Sequence, residues 1–311
     1  MSPRKLFQSV YRHWIGRTFV HCLVGYVLLI MLVAFLQRQL IYQPRRSDAL
    51  SISHHQYLKQ TEDLKLVTAD GLQLNGWIFN ADQPAPVADQ NGNRKALLYF
   101  PGNAGHREYR ISRLELLASL GRDVIIFDYR GYGDNPGKPT ETDFQSDALS
   151  IWKHVTQTLG YQPHNIALWG ESLGGGVATD LAHQLSVLGE APERLVMQST
   201  FSSLVDAAGV HYPWIPVSYL LIDRYESDQK LSDVECPVLI IHGTADKIVP
   251  YKQAERNYAI AQQRLSWTTE FVTLPDAGHN NVVERYWDEL KPELSSFLVS
   301  ATGQEVVTQL D

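Results

Sequence analysis

A short apolar run, Ile166-Ala-Leu-Trp169, passes directly into Gly170-Glu-Ser-Leu-Gly174, and the apolar helical pattern Val177-Ala-Thr-Asp-Leu-Ala182 follows. Strand, abrupt turn and helix within so few residues leave the chain little conformational choice. The turn forces Ser172 into a strained backbone, and glycines two before and two after it let strand and helix approach without a Cβ clash. A serine held there stands clear of the sheet. The amide of Leu173 points to where charge on an attacked carbonyl oxygen would develop. Gly-x-Ser-x-Gly alone also describes a plain glycine-rich turn; the flanking strand and helix favour a nucleophile.

The same alternation extends along the chain. Buried-strand runs at residues 96–100, 124–127, 166–169, 195–197, 237–241 and 271–274 alternate with helical spacing at 111–120, 144–159, 178–188, 251–261 and 283–299. Strands separated by helices imply βαβ units, hence an α/β fold with a mostly parallel sheet covered on both faces. Ahead of them, residues 64–67 and 72–79 flank Ala69-Asp70-Gly71 and read as a β-hairpin. Residues 81–94, rich in Pro, Asn, Asp and Gly, read as a surface loop, and 301–311 as a polar tail that frays. A chain of 311 residues with 44% hydrophobic content can bury one large core. A single domain over residues 61–300 is expected, with appendages before it.

The main appendage is residues 18–36, which hold no charged group apart from His21 if protonated. As a helix they span about 28 Å at about 1.5 Å per residue, close to the roughly 30 Å of a bilayer core. A membrane anchor, a cleaved signal peptide and a buried helix compete. The segment is apolar all round and flanked by Arg17 and Arg38, against a buried helix. Val33-Ala-Phe-Leu-Gln37 is a poor cleavage site. The reading is an uncleaved single-pass anchor over 18–37, preceded by a basic segment, 1–17, and followed by a linker, 38–60. Arg4, Lys5, Arg12 and Arg17 precede the span against Arg38, Arg45 and Arg46 after it, which puts the body on the extracytoplasmic side.

Net charge is -7, yet residues 1–50 carry seven Lys or Arg against one Asp. The body is therefore strongly acidic, a poor match to nucleic acid. Cys22 and Cys236 make no disulfide framework and no metal-ligand spacing, and Ser53-His54-His55 reads as loop. No cofactor and no metal are expected.

A serine at its ordinary pKa needs a base, and the base needs an orienting carboxylate. Open α/β sheets build sites at the carboxyl ends of their strands. The run at 237–241 leads into His242-Gly-Thr-Ala-Asp246, and the run at 271–274 into Pro275-Asp-Ala-Gly-His279. Chain order is serine, acid, histidine. Asp206 is a rival for the carboxylate. Asp276 reads as a turn former, His106 as a loop stabiliser and His242 as a hydrogen-bonded strand end; Glu171 is expected to point away from the chemistry.

Phe100-Pro-Gly-Asn-Ala-Gly105, Asp128-Tyr-Arg-Gly-Tyr-Gly133, the turn at Ser172, His242-Gly-Thr-Ala-Asp246 and Gly278-His279 together resemble the α/β-hydrolase superfamily. Within it they resemble the membrane-tethered α/β-hydrolase-domain subgroup, which includes protein depalmitoylases and esterase-like enzymes. The resemblance implies Ser172 as nucleophile, His279 as general base and then acid, and Asp246 as the residue that fixes and charges the imidazole. It also implies an oxyanion hole from the backbone amides of Leu173 and Asn103. Two positions depart from the family pattern. Pro101 replaces the usual histidine and removes a backbone donor, and Asn135 stands where serine is usual.

Residues 199–236 leave room for only a short cap. Its aromatic and aliphatic cluster, His211-Tyr-Pro-Trp-Ile-Pro-Val-Ser-Tyr-Leu-Leu-Ile222, reads either as packing or as an acyl-binding wall facing the bilayer. The expectation is a membrane-anchored serine hydrolase that cleaves an acyl ester, thioester or lipid-like substrate through an acyl-enzyme. The alternatives are a serine peptidase of the same fold and a non-catalytic membrane scaffold.

Overall fold

In the computed structural model of the chain, which describes residues 3–55, 60–81, 87–280 and 282–299, a long helix leads into alternating strands and helices. The order is α1 (Pro3–Ile41), β1 (Gln43–Pro44), β2 (Thr61–Val67), β3 (Gln73–Phe79), β4 (Ala96–Phe100), β5 (Ala104–Gly105), α2 (Ile111–Ala118), β6 (Asp123–Phe127) and α3 (Glu141–Lys153). Then come β7 (Ile166–Glu171), α4 (Leu173–Val187), β8 (Arg194–Gln198), α5 (Leu204–His211), α6 (Val217–Leu220), β9 (Val238–Gly243), α7 (Tyr251–Ala261), β10 (Thr269–Leu274), α8 (Val282–Arg285) and α9 (Trp287–Val299).

Eight described strands form one sheet in the order β10-β9-β8-β7-β4-β6-β3-β2. The pairs from β10 to β6 are parallel, and β3 runs antiparallel to both β6 and β2. This is an α/β-hydrolase fold. Parallel strands buried on both faces need apolar side chains on both, which is why β4, β6 and β7 are buried throughout. Leu98, Ile125 and Leu168 pack on one face with Phe144, Trp152, Val177 and Leu181. Leu97, Tyr99 and Trp169 pack on the other with Leu114, Leu117, Leu294 and Phe297. The winding reverses at β4, which lies between β6 and β7. Beyond the carboxyl ends of β4 and β7, such a reversal opens a crevice.

Several boundaries differ from those read in the sequence. α1 has 39 residues, so the helix continues through the basic flank on one side and past Arg38 on the other. The segment read as a linker from 38 is docked where it is described. Gln43 and Pro44 pair in parallel with Ala104 and Gly105, and Tyr42 and Leu50 are buried. Ser51 Oγ and the Ile52 amide both bond the Asp63 carboxylate. Two buried apolar side chains suffice to seat an otherwise polar stretch. Residues 56–59 of that linker, and the tail at 301–311, lie outside the described residues, as do 82–86 of the surface loop. The helix expected at 178–188 begins at Leu173. The closing helix is divided into α8 and α9 around Tyr286.

Candidate active site

β7 ends at Glu171, α4 begins at Leu173, and Ser172 between them has φ 52° and ψ -116°. A non-glycine residue there carries strain on the order of 1–3 kcal/mol. The surroundings hold it in place. The Ser172 amide donates to the Gln198 carbonyl at 2.9 Å, and the Thr200 hydroxyl donates to the Ser172 carbonyl at 2.7 Å. Packing explains the two glycines. A Cβ on Gly170 would lie 2.4 Å from the Gly175 Cα, and one on Gly174 2.1 Å from the Phe100 carbonyl oxygen.

His279, in the loop after β10, brings Nε2 to 2.9 Å from Ser172 Oγ. Its Nδ1 lies 2.7 Å from Asp246 Oδ2, in the loop after β9. Asp246 Oδ1 accepts from the Ile248 and Val249 amides, both at 2.8 Å. His242 Nε2 lies 3.3 Å from Oδ2 and 2.9 Å from the Val249 carbonyl. Burial alone would raise the Asp246 carboxyl, but bonds from His242, His279 and the Val249 amide hold it well below the usual carboxylate range. An ionised carboxylate only accepts, so Nδ1 of His279 carries the proton and the Nε2 lone pair faces Ser172.

Leu173 opens α4, where first-turn amides have no carbonyl partner within the helix. The loop after β4 lies against Ser172: a Cβ on Gly102 would stand 3.6 Å from the Ser172 Cβ. The Pro101 carbonyl accepts from the Tyr129 hydroxyl at 2.8 Å, so the residue that replaces histidine is tied from below. The Asn103 side chain is engaged on both ends. Its Nδ2 donates to the Ile41 carbonyl at the end of α1, and its Oδ1 accepts from the Tyr132 hydroxyl at 2.9 Å.

The other candidates lie elsewhere. Asp206 pairs with Arg256, and its amide caps on Ser203 Oγ. Asp276 takes φ 57° and its amide donates to Thr244 Oγ1, a turn-shaping position. His106 is buried and stacked on Tyr109 with ring centroids 4.3 Å apart. His55 Nε2 lies 2.9 Å from Glu108 Oε1, tying the former linker to the loop after β5. Asn135 joins Asn75 to the Asp128 carbonyl, at 2.8 and 2.6 Å, and packs its loop.

Sequence reasoning missed Arg113. Buried in α2, it lies 2.6 Å from Glu171 and 2.7 Å from Glu284, and donates to the Asn280 carbonyl at 3.3 Å and Tyr99 hydroxyl at 3.2 Å. Glu171, beside Ser172, in turn accepts from Tyr99 and from the Gly102 amide at 3.4 Å. Arg113 thus ties the turn at Ser172 to the residue after His279 directly, and to the loop after β4 through Glu171. Burial pushes the Glu171 carboxyl up, but Arg113, Arg110 and Tyr99 outweigh it and bring it to about 2. The signal was present: an acid inside an apolar strand needs a buried cation, and Arg113 sits one position before Leu114 and four before Leu117 on the core-facing helix.

Comparison with known proteins agrees with this fold. The family model described as alpha/beta hydrolase fold matches residues 95–214, and that of the prolyl oligopeptidase family matches 200–305. An uncharacterized protein of Mycobacterium tuberculosis is 38% identical over 252 residues, covering 81% of this chain and 83% of that protein. The lysophosphatidylserine lipase ABHD12 of Danio rerio is 31% identical over 238 residues, covering 71% of this chain and 62% of the lipase. Among solved structures, a Pyrococcus furiosus esterase superposes with a TM-score of 0.63 at 20% identity, covering 85% of this chain and 99% of the esterase.

Proposed function

This chain belongs to the α/β-hydrolase superfamily and is a serine hydrolase, and from that premise we propose that it is a membrane-anchored enzyme cleaving carboxylic esters or thioesters of lipid-like substrates. The observation that carries the reading is the relay from Asp246 through His279 to the half-buried Ser172, at 2.7 and 2.9 Å. Ser172 Oγ attacks the acyl carbon while His279 Nε2 takes its proton, and Asp246 stabilises the imidazolium that forms. The backbone amides of Leu173 and Asn103 receive the oxyanion, each contributing about 3 kcal/mol to the transition state. Collapse expels the alcohol or thiol with the proton from His279. Water then attacks the acyl-serine, again through His279, and releases the acid.

The lipid-like substrate draws support from the likeness to a lysophosphatidylserine lipase and from the exposed apolar helix. Residues 14–41 make one helix long and apolar enough to cross a membrane. We assign it as an uncleaved anchor, with the body on the extracytoplasmic side from the basic residues that precede the span; accessibility of a tag after Asp311 in intact cells tests that side. A peptidase is the second reading, favoured by the prolyl oligopeptidase match over 200–305. A panel of p-nitrophenyl esters of rising chain length, acyl thioesters, lysophospholipids and peptide amides separates the two. Turnover rising with acyl length on esters or thioesters is expected; selective amide cleavage would replace this reading with the peptidase.

A further inference from the structure

Between Asp206 and Asp223 the chain carries no Asp, Glu, Lys or Arg. This stretch holds most of α5 and all of α6, and it leaves Val210, Tyr212, Trp214, Tyr219 and Ile222 more than half exposed. So continuous an apolar surface marks a contact with something other than water.

What it contacts follows from its neighbour. The Tyr26 hydroxyl donates to the Trp214 carbonyl at 2.8 Å, and the Ile222 amide donates to Gln37 Oε1 at 2.8 Å. Arg38 then pairs with Asp223 at 3.0 Å. From Tyr26 to Arg38 the helix advances about 18 Å at about 1.5 Å per residue. The lobe therefore lies alongside the apolar part of α1; Arg38 and Asp223 meet at one level, and from there Arg224 turns back to the Ser218 carbonyl at 2.9 Å. Whatever medium surrounds α1 from 26 to 37 also surrounds the lobe.

In an apolar medium a backbone amide needs a partner within the protein. The amides of Tyr212, Ile215, Val217, Tyr219 and Leu221 donate inside the lobe and that of Ile222 donates to α1, whereas those of Trp214, Ser218 and Leu220 have no partner among the described residues. Residues 213 and 216 are prolines and have no amide to satisfy. The lobe also touches the site from one side, since His211 Nε2 lies 2.8 Å from the Ile248 carbonyl, next to the Asp246 loop. The end of α1 touches it from the other, through Ile41 and Asn103.

We propose that residues 207–222 form a lobe embedded in the outer part of the same bilayer that α1 crosses, so that the Ser172 site takes its acyl substrate directly from the leaflet. This rests on the anchored-hydrolase reading above. The partner is the lipid bilayer, with Trp214, level with Tyr26, among the acyl chains and the Arg38–Asp223 pair at the polar boundary.

The test reconstitutes the full chain into phosphatidylcholine vesicles, with and without bromine at mid-chain, and compares wild type with Trp214→Phe. The wild-type-minus-variant emission isolates Trp214. It is expected to peak at short wavelength and to lose most of its intensity in brominated lipid. Protein that stays with the vesicles in alkaline carbonate but shows a Trp214 signal unquenched and red-shifted overturns the lobe while leaving the anchor intact. A Trp214 signal that is unquenched yet at short wavelength, in a protein that migrates as a dimer, would overturn the lobe and give the patch to a second copy instead. Release by carbonate would overturn the anchor itself, a separate failure.

Discussion

Gly174 has no room for a side chain. A Cβ there would stand 2.1 Å from the Phe100 carbonyl oxygen and 2.6 Å from that of Pro101. Both are backbone atoms at the end of β4, so relief requires moving the loop that carries Asn103. Gly174→Ala is predicted to destabilise the fold by roughly 1–3 kcal/mol, read as a lowered urea midpoint, and to lower kcat beyond that loss. Asp246 is proposed to work through charge and orientation. Asp246→Asn keeps the side chain's shape but supplies an amide to His279 Nδ1, which favours the wrong tautomer. A fall in kcat of about 10⁴-fold in a folded protein is predicted; a fall below tenfold would remove Asp246 from the relay.

At the scale of elements, the strand and helix runs were legible because apolar periodicity decides them: β4 and α7 coincide with the expected residues. The misreadings have local causes. α4 starts earlier than expected because Gly174, Gly175 and Gly176 are poor helix formers. They are present for close approach, since a Cβ on Gly175 would meet Thr200 Oγ1 at 2.2 Å and one on Gly176 the Tyr225 ring at 2.9 Å. Residues 41–50 looked like a linker because their polarity hid the two side chains that seat them. Tyr42 sends its hydroxyl to Asp223 at 3.1 Å and lies 2.9 Å from the Tyr225 hydroxyl. The order of Ser172, Asp246 and His279 could be read from strand ends, whereas Arg113 required knowing which helix covers β7. The docked segment makes α1 part of the site's support. Asn103→Ala keeps the amide but frees the loop from Ile41 and Tyr132. It is predicted to cost up to about 10²-fold in kcat on a short-chain ester, with little change in thermal midpoint.

Across the whole molecule, two of the depressed carboxylates lie beside Ser172 and His279 and tie acid stability to the site. Glu171 is lowered from 4.5 to about 2 in the folded chain, so the native state binds its proton less readily than the unfolded state. Its contribution is fully present above pH 4.5 and is lost as pH falls from there towards about 2. Asp246 is depressed as well and acts in the same direction. Glu171→Gln is predicted to flatten the pH dependence of the urea midpoint over that interval. An unchanged slope would show that the Arg113 pair contributes nothing to acid stability.

Ser172, activated by His279, is proposed to form the acyl-enzyme. The most direct measurement treats wild type, Ser172→Ala and His279→Ala with a fluorophosphonate probe and locates the adduct by peptide mass. A single adduct on Ser172 is expected in wild type, none in Ser172→Ala and a much slower one in His279→Ala. Folded wild-type protein that stays unlabelled, or an adduct on another residue, would contradict it.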